Sequence, residues 1–94
     1  MIKDLKKRAI HRSRIIEGQF KGLEKAIENE KYCMDIITQS LAIQKSLASL
    51  NKLILENHLR THIAHSLEFS DEKVRDKAIK EMLNLYELNN IRGK

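Results

Sequence analysis

The chain of 94 residues has no proline, no tryptophan, one cysteine and only three glycines. Because proline and glycine are the strongest breakers of regular structure, their scarcity favours long, uninterrupted helices. Four aromatic residues argue against a β-sandwich or a β-barrel. One cysteine cannot form an internal disulfide, which fits a reducing, cytosolic compartment. These absences predict an all-α protein.

Long hydrophobic runs are also missing. No apolar stretch approaches the roughly 18 residues of a membrane-spanning helix, and the N-terminal segment lacks the apolar stretch of a secretory signal peptide. We therefore expect one domain over residues 1–94 that has no membrane partner. A chain of this length buries only a thin core alone, so self-association would help to stabilise it.

The excess positive charge lies in one part of the chain. The formal net charge is +5, and residues 1–21 carry all of it, with seven basic and two acidic side chains. The remaining segment has equal numbers of both signs. A basic stripe on one element suits a polyphosphate partner such as nucleic acid. A solvated helix face would explain the same pattern.

Apolar residues that recur every three or four positions predict three helices. We expect them at about Lys3–Glu28, Tyr32–Ala64 and Asp71–Leu88, separated by turns at 29–31 and 65–70. The second is unusually long for a globular protein, and long helices in small proteins usually pack as bundles. The apolar face of the first helix consists of Leu5, Ala9, Ile16, Phe20, Leu23 and Ile27. That of the second consists of Ile36, Ile37, Leu41, Leu47, Leu50, Leu53, Ile54 and Ile63. The buried side of the third consists of Val74, Ala78, Met82, Leu83 and Tyr86.

Two glycines in the first predicted helix share one face. Gly18 and Gly22 lie four residues apart, and each lowers helix stability relative to alanine. They therefore fit a place where another backbone approaches closely.

The candidate chemistry resides in Cys33, His58 and His62. The two histidines are four apart and share a helical face, whereas Cys33 lies 25 residues before His58. On one helix that separation is roughly 37 Å, at about 1.5 Å per residue, so one chain cannot bring all three to one ion. Two antiparallel copies that cross near Ser46 and Leu47 could do so. Thiolate and imidazole suit Cu(I), Zn(II), Ni(II) or Co(II).

Each of these residues also has a purely structural interpretation. A histidine pair on a helix can be exposed or hydrogen-bonded, and a lone cysteine can be a small core residue. His11 and His65 fit surface positions. The sequence contains no P-loop, dinucleotide fingerprint or nucleophile elbow, so it does not predict an enzyme.

The segment RIIEGQFKGLEKAIENEKYCMDIITQSLAIQKSL, together with NHLRTHIAH, resembles the copper-sensitive operon repressor family, which includes nickel/cobalt and formaldehyde-responsive repressors. The likeness covers nearly the whole chain. The resemblance implies a three-helix protomer, an antiparallel four-helix-bundle dimer and usually a dimer-of-dimers tetramer. It also implies a repressor without a helix-turn-helix that releases DNA when its inducer binds. The most specific matches are IEGQ at 16–19, Tyr32-Cys33, Asp35-Ile36, Gln39, Gln44 and His58-Leu59.

The resemblance also implies a ligand set. Cys33 of one protomer would bind metal together with His58 and His62 of its neighbour. Copper sensors of the family have cysteine at the position of His62, and the nickel/cobalt branch has histidine there. That branch also uses an N-terminal histidine, which is missing beside Met1. The ligand pattern therefore looks more like the nickel/cobalt branch, while the inducer stays open between Ni(II)/Co(II) and Cu(I), as does participation of the Met1 amine or His65.

Other family positions carry over to residues outside the ligand set. Tyr32 and Glu81 match positions that surround the ligand histidine in copper sensors, although Tyr32 could simply pack the first turn and Glu81 could be a surface residue. Arg12 matches a DNA-contact position. Phosphate contacts are expected from Lys6, Lys7, Arg8 and Arg14.

We therefore predict a cytosolic, metal-responsive repressor that binds double-stranded operator DNA in its apo form and releases it when Ni(II)/Co(II) or Cu(I) binds. The alternative is a metal-buffering or structural helical oligomer that binds nucleic acid without specificity.

Overall fold

The computed structural model describes residues 1–63 and 72–92, with side chains for 1–61 and 72–87. This part of the chain is helical, as predicted. Helix α1 runs over Lys3–Glu28, α2 over Cys33–His58 and α3 over Glu72–Arg92, and a π-helix over Leu59–Ile63 continues directly from α2. None of the described helices has the length and apolar content that crossing a lipid bilayer requires.

A tight turn joins α1 to α2 and fixes where Cys33 lies. The N–H of Lys31 donates to the carbonyl of Ala26, and the N–H of Glu30 donates to that of Ile27, both at 3.0 Å. This is the Schellman pattern of a helix end. Glu30 supplies the left-handed residue, with φ of 49°. The chain reverses within four residues, and Cys33 becomes the first residue of α2.

The second helix departs from the prediction at its C-terminal end. The prediction was one α-helix from Tyr32 to Ala64, but α-helical geometry ends at His58 and a π-helical turn follows. The hydroxyl of Thr61 donates to the carbonyl of Asn57 at 2.7 Å. An α-helix would give that carbonyl to the backbone N–H of Thr61, so the side chain competes with regular geometry here. Ala64 lies outside the described residues.

The third helix is longer than predicted. It continues through Asn89 and Asn90 to Arg92, whereas the sequence predicted an end at Leu88. Asparagine disfavours helix only weakly, so a single pair does not stop one. The predicted turn at 65–70 and the start at Asp71 lie outside the described residues.

The core consists of small clusters centred on the second half of α2. One cluster joins Leu5 and Ala9 of α1 to Leu53, with Ile2 and Leu50 packed against it. The first half of α1 therefore lies antiparallel to the second half of α2. The other cluster joins the π-helix to α3 through Leu59, Ile79 and Leu83, with Leu55 beside it.

The predicted apolar faces are only partly buried in one protomer. Their members Leu5, Ala9, Ile16, Leu53 and Leu83 are buried, and so are Ala26, Ile43, Leu59 and Ile79, which the sequence did not single out. The other members whose side chains are described keep exposed surface that a second copy could cover. Exposed members of the predicted faces are Phe20, Ile27, Ile37, Leu41, Leu47, Ile54, Val74 and Met82.

The two glycines of α1 do not mark a close contact inside the protomer. A Cβ atom at Gly18 or Gly22 would meet no described atom within 4 Å outside its own helix. The predicted close approach is therefore absent between the described helices of one chain.

Candidate functional site

The three candidate metal ligands are divided between the two ends of α2. Cys33 is the first residue of the helix and carries an exposed free thiol. His58 is the last residue and is also exposed, while the backbone of His62 belongs to the π-helix. At about 1.5 Å per residue, roughly 37 Å separate Cys33 from His58. Within the described ranges, no three His, Cys, Asp or Glu residues gather into a metal-binding group.

The donors nevertheless fit a transition-metal site that two chains share. A thiol and an imidazole are both accessible, and their chemistry suits Cu(I), Ni(II) or Co(II). The protomer thus leaves the sequence prediction of a bridging site open rather than replacing it with an internal site.

A network of ion pairs surrounds the segment that carries the histidines. Nε of Arg60 donates to Oε2 of Glu56 at 2.9 Å, and Nη2 of Arg60 lies 2.8 Å from Oδ1 of Asp76. The second oxygen of Asp76 is 3.1 Å from Nζ of Lys80. The network therefore ties the π-helix to both α2 and α3.

The charges of this network perturb one another. Burial alone would lower the pKa of Arg60, but hydrogen bonds with Glu56 and Asp76 outweigh that effect and raise it. Hydrogen bonds from Arg60 and Lys80 lower the pKa of the Asp76 carboxyl below its ordinary value. Both groups are thus held in their charged forms near neutral pH.

A second contact ties the same end of α2 to the start of α1. The backbone N–H of Ile2 donates to Oδ1 of Asn57 at 2.8 Å, in a partly buried position. Asn57 directly precedes His58, and Ile2 directly precedes the basic first helix. The hydrogen bond therefore links the histidine end of α2 to the segment that carries the excess positive charge.

The residues expected to surround the ligand histidine lie on the protomer surface. Tyr32 precedes α2 and is 70% exposed. Glu81 is exposed on α3, two residues from each of the buried residues Ile79 and Leu83. On a helix, such an offset places Glu81 on the side away from the buried stripe. The predicted roles of Tyr32 and Glu81 stay predictions.

The basic residues of α1 contribute to a cleft where the three helices meet. This cleft has a volume of about 700 Å³. Three of the five predicted DNA contacts line it together with a lysine from each of α2 and α3: Lys7, Arg8, Arg12, Lys52 and Lys80. Three acidic side chains, Asp4, Glu56 and Glu87, line it as well. The remaining two predicted contacts, Lys6 and Arg14, are exposed elsewhere on α1. The structure thus gathers part of the predicted basic surface around one cleft.

Asn57, Arg60 and Asp76 escaped the sequence-based prediction. Arg60 stands between the two histidines in NHLRTHIAH, so the sequence showed a cation beside the candidate ligands. Its partner Glu56 lies four residues earlier, a spacing that the sequence does show. Its partner Asp76 lies on another helix, and no periodicity within one helix relates that pair. Likewise, nothing in the sequence pairs Asn57 with the backbone of Ile2.

The chain is similar to known metal-sensing transcriptional repressors. The family described as metal-sensitive transcriptional repressor matches residues 5–87. The copper-sensing transcriptional repressor CsoR of Bacillus subtilis (strain 168) is 32% identical over 76 residues, which cover 81% of this chain and 72% of that protein. No solved structure matches the chain.

Two mycobacterial proteins show similar identity over shorter segments. The copper-sensing repressor CsoR of Mycobacterium tuberculosis (strain ATCC 25618 / H37Rv) is 36% identical over 60% of this chain. The copper-sensing repressor RicR of the same strain is 42% identical over 51% of it. The matched segments span 47% and 50% of those two proteins, about half of each.

Proposed function

The chain belongs to the family of metal-sensitive transcriptional repressors, and on this basis we propose that it binds double-stranded operator DNA in its apo form and releases it when a transition metal ion binds between subunits. Cys33 of one protomer and His58 with His62 of its partner would hold the ion. The family is one of repressors rather than enzymes, in agreement with the sequence-based prediction.

The division of the ligands between the two ends of α2 carries this proposal. Cys33 and His58 are both exposed, yet the whole length of α2, about 37 Å, separates them. An antiparallel pair of α2 helices would place a thiol from one chain beside an imidazole from the other, twice per dimer. A site of this kind can report on how the subunits pack.

Exposed apolar side chains support self-association. Between residues 20 and 41 of one protomer, large hydrophobic residues are about half-exposed, which a stable monomer of this size would not favour. They include Phe20, Ile27, Met34, Ile37 and Leu41. We propose that a second copy covers this surface to form the antiparallel four-helix-bundle dimer, and that two dimers form a tetramer.

The basic surface supports DNA as the partner. Five side chains of the first helix, Lys6, Lys7, Arg8, Arg12 and Arg14, would contact phosphate, and Arg12 lies in the cleft between the helices. Neutralisation of several phosphates releases counterions, so affinity should fall steeply as salt rises. In the described part of the chain there is no helix-turn-helix, and specificity would rest on DNA shape.

The donor set leaves two metal choices that one experiment can separate. The thiolate of Cys33 favours Cu(I), and the similar proteins named above are copper sensors. The two imidazoles favour Ni(II) or Co(II). Release from DNA requires that the metal bind the DNA-incompetent state more tightly, and a coupling of about 1–3 kcal/mol is typical.

The proposal is tested by adding Cu(I), Ni(II), Co(II) or Zn(II) anaerobically to the protein on its own promoter DNA, with fluorescence anisotropy as the readout. The inducing ion should release the DNA, and Cys33→Ala should abolish release while apo binding persists. His11→Ala removes an exposed histidine far along the chain from the ligands and should leave the metal stoichiometry unchanged. If every ion leaves the protein bound, and binding ignores DNA sequence, the alternative of a structural or metal-buffering oligomer holds.

Subunit mixing tests whether the site bridges two chains. Neither Cys33→Ala nor His58→Ala should bind metal at this site when pure. In a mixed dimer, one site recovers both intact ligands and the other loses both. Recovery of binding upon mixing therefore requires a shared site, whereas no recovery contradicts it.

A further inference from the structure

One charged side chain in the segment between His58 and His62 contacts two other parts of the protein. Arg60 contacts two carboxylates, with Glu56 on its own helix at 2.9 Å and Asp76 on α3 at 2.8 Å. The side chains of Arg60 and Glu56 are 27% and 21% exposed, so water screens this pair less than a fully exposed one. A guanidinium suits this role because its rigid fork offers several donors in fixed directions.

The backbone that Arg60 fastens has an unusual geometry. The residues from Leu59 to Ile63 form a π-helix, which is rare, occurs mostly as a single turn within an α-helix and is frequent at functional sites. Leu59 anchors one side of this turn by packing on Ile79 and Leu83 of α3. Arg60 adds a polar anchor to the same helix at the next position. The turn is therefore held against α3 by two adjacent residues.

We infer that Arg60 is a positioning residue for the metal site, which holds the π-helical turn, and with it the backbone of His62, against α3 through Asp76. The inference rests on the proposed metal-binding function. Groups that orient metal ligands without touching the ion typically change metal affinity by about 10–100-fold when they are replaced. Arg60 and Asp76 lie one step further from the ion than a direct hydrogen-bond partner, and they act by fixing the backbone.

The protein contains a matched ion pair for comparison. Nζ of Lys52 lies 3.1 Å from Oε1 of Glu87, with side chains 31% and 49% exposed. This pair also joins α2 to α3, but it lies six residues before His58 and outside the π-helix. If Asp76 had only a structural role, loss of either pair should affect the protein alike.

The experiment compares Asp76→Asn with Glu87→Gln in the full-length protein, with Co(II) as the probe. We expect Asp76→Asn to weaken Co(II) affinity about tenfold or more and to change the Co(II) absorption spectrum. Glu87→Gln should change the affinity by no more than about twofold. Asp76→Glu, which restores a carboxylate, should recover part of the affinity.

The outcomes separate this inference from the proposed function. If the wild-type protein binds no transition metal at Cys33, the proposed function fails. If it binds Co(II) but both variants behave alike, only the role of Arg60 is overturned. Arg60→Lys keeps the positive charge but removes the planar guanidinium with its several donors. It serves as a second variant should Asp76→Asn fail to fold. An unchanged Co(II) spectrum and affinity in Arg60→Lys would likewise contradict the inference.

Discussion

The two ends of α2 carry the two halves of the candidate site, and the protomer holds them very differently. At the N-terminal end, Cys33 follows a four-residue turn and is exposed among half-exposed apolar side chains. At the C-terminal end, the residues around His58 contact both other helices through Asn57, Leu59 and Arg60. The thiol end follows the turn from α1, beside the buried Ala26, whereas the histidine end has three named contacts that reach the start of α1 and α3.

This difference indicates where a bound ion would act on the protein. In an antiparallel dimer, each site would combine an exposed thiol with a histidine segment whose neighbours contact α1 and α3. The Cys33 side chain can adjust at little cost because it lies at the surface. A shift of the histidine end would instead move α3 through Arg60 and α1 through Asn57, and α1 carries the basic surface. We therefore expect the response to metal to pass through the histidine end.

Among the substitutions that test this difference between the two ends of α2, Ile79→Ala should have the largest effect on stability. Ile79 is only 2% exposed and packs on Leu59 of the π-helix and on Leu83. Loss of its buried methyl and methylene groups should lower the free energy of unfolding by about 2–5 kcal/mol. Urea unfolding at fixed protein concentration measures this change.

The matched change at the other end is Ile37→Ala, at a residue 48% exposed in the protomer. If a partner subunit covers Ile37, truncation of this side chain should weaken association of the subunits. The resulting loss of stability should then grow as the protein is diluted. If Ile37→Ala lowered the free energy of unfolding as much as Ile79→Ala at every protein concentration, the two ends of α2 would be held alike.

A smaller effect is expected from Asn57→Leu. This change keeps the approximate shape of the side chain but removes the acceptor for the N–H of Ile2. Leaving that partly buried donor unpaired should lower the free energy of unfolding by about 1–3 kcal/mol. Asn57→Asp retains the acceptor and is the control. Equal losses in both variants, measured by urea unfolding, would show that the hydrogen bond does not anchor α1.

At the thiol end, Glu30→Gly should stabilise the protein. Glu30 has φ of 49°, a conformation that glycine adopts without steric cost. Relief of that cost should raise the free energy of unfolding by up to about 1 kcal/mol. Glu24→Gly, in the exposed interior of α1, should instead lower it by about 0.5–1 kcal/mol. A lower free energy of unfolding in both variants would contradict the conclusion that the turn before Cys33 is strained at Glu30.

Sequence reasoning found the elements whose signals are local. The first helix was predicted with its observed bounds, Lys3–Glu28, because a regular apolar stripe and a polar Asn29 turn define it. The separation of Cys33 from the histidines followed from counting residues along one helix. The family assignment rested on short motifs and is confirmed by the match over residues 5–87.

The features that escaped prediction depend on contacts between helices. The π-helix after His58 interrupts a pattern that reads as continuous, because neither proline nor glycine marks the change. Apolar periodicity placed Leu41 and Ile54 on the apolar face of the second helix, and both stay exposed in the protomer. A periodic stripe shows that a face is apolar, but it cannot tell whether the same chain or a second copy covers it. The roles of Cys33, His58 and His62 stay predictions.

The smallest effect, and the most specific to the histidine end, should appear in the pH dependence of stability. Hydrogen bonds from Arg60 and Lys80 lower the pKa of Asp76 in the folded protein, so folding favours its ionised form. Its contribution is therefore fully present above the ordinary pKa of 3.8 and is lost as the pH falls through the lower folded-state pKa. Asp76→Asn should thus be less stable than wild type at pH 7, and this difference in stability should disappear in acid.

The control Asp4→Asn breaks an exposed 3.7 Å pair with Arg8 on α1 and should change stability little at either pH. A gap for Asp76→Asn that persisted below both pKa values in urea unfolding would mean that the carboxyl group, rather than its charge, anchors the π-helix to α3.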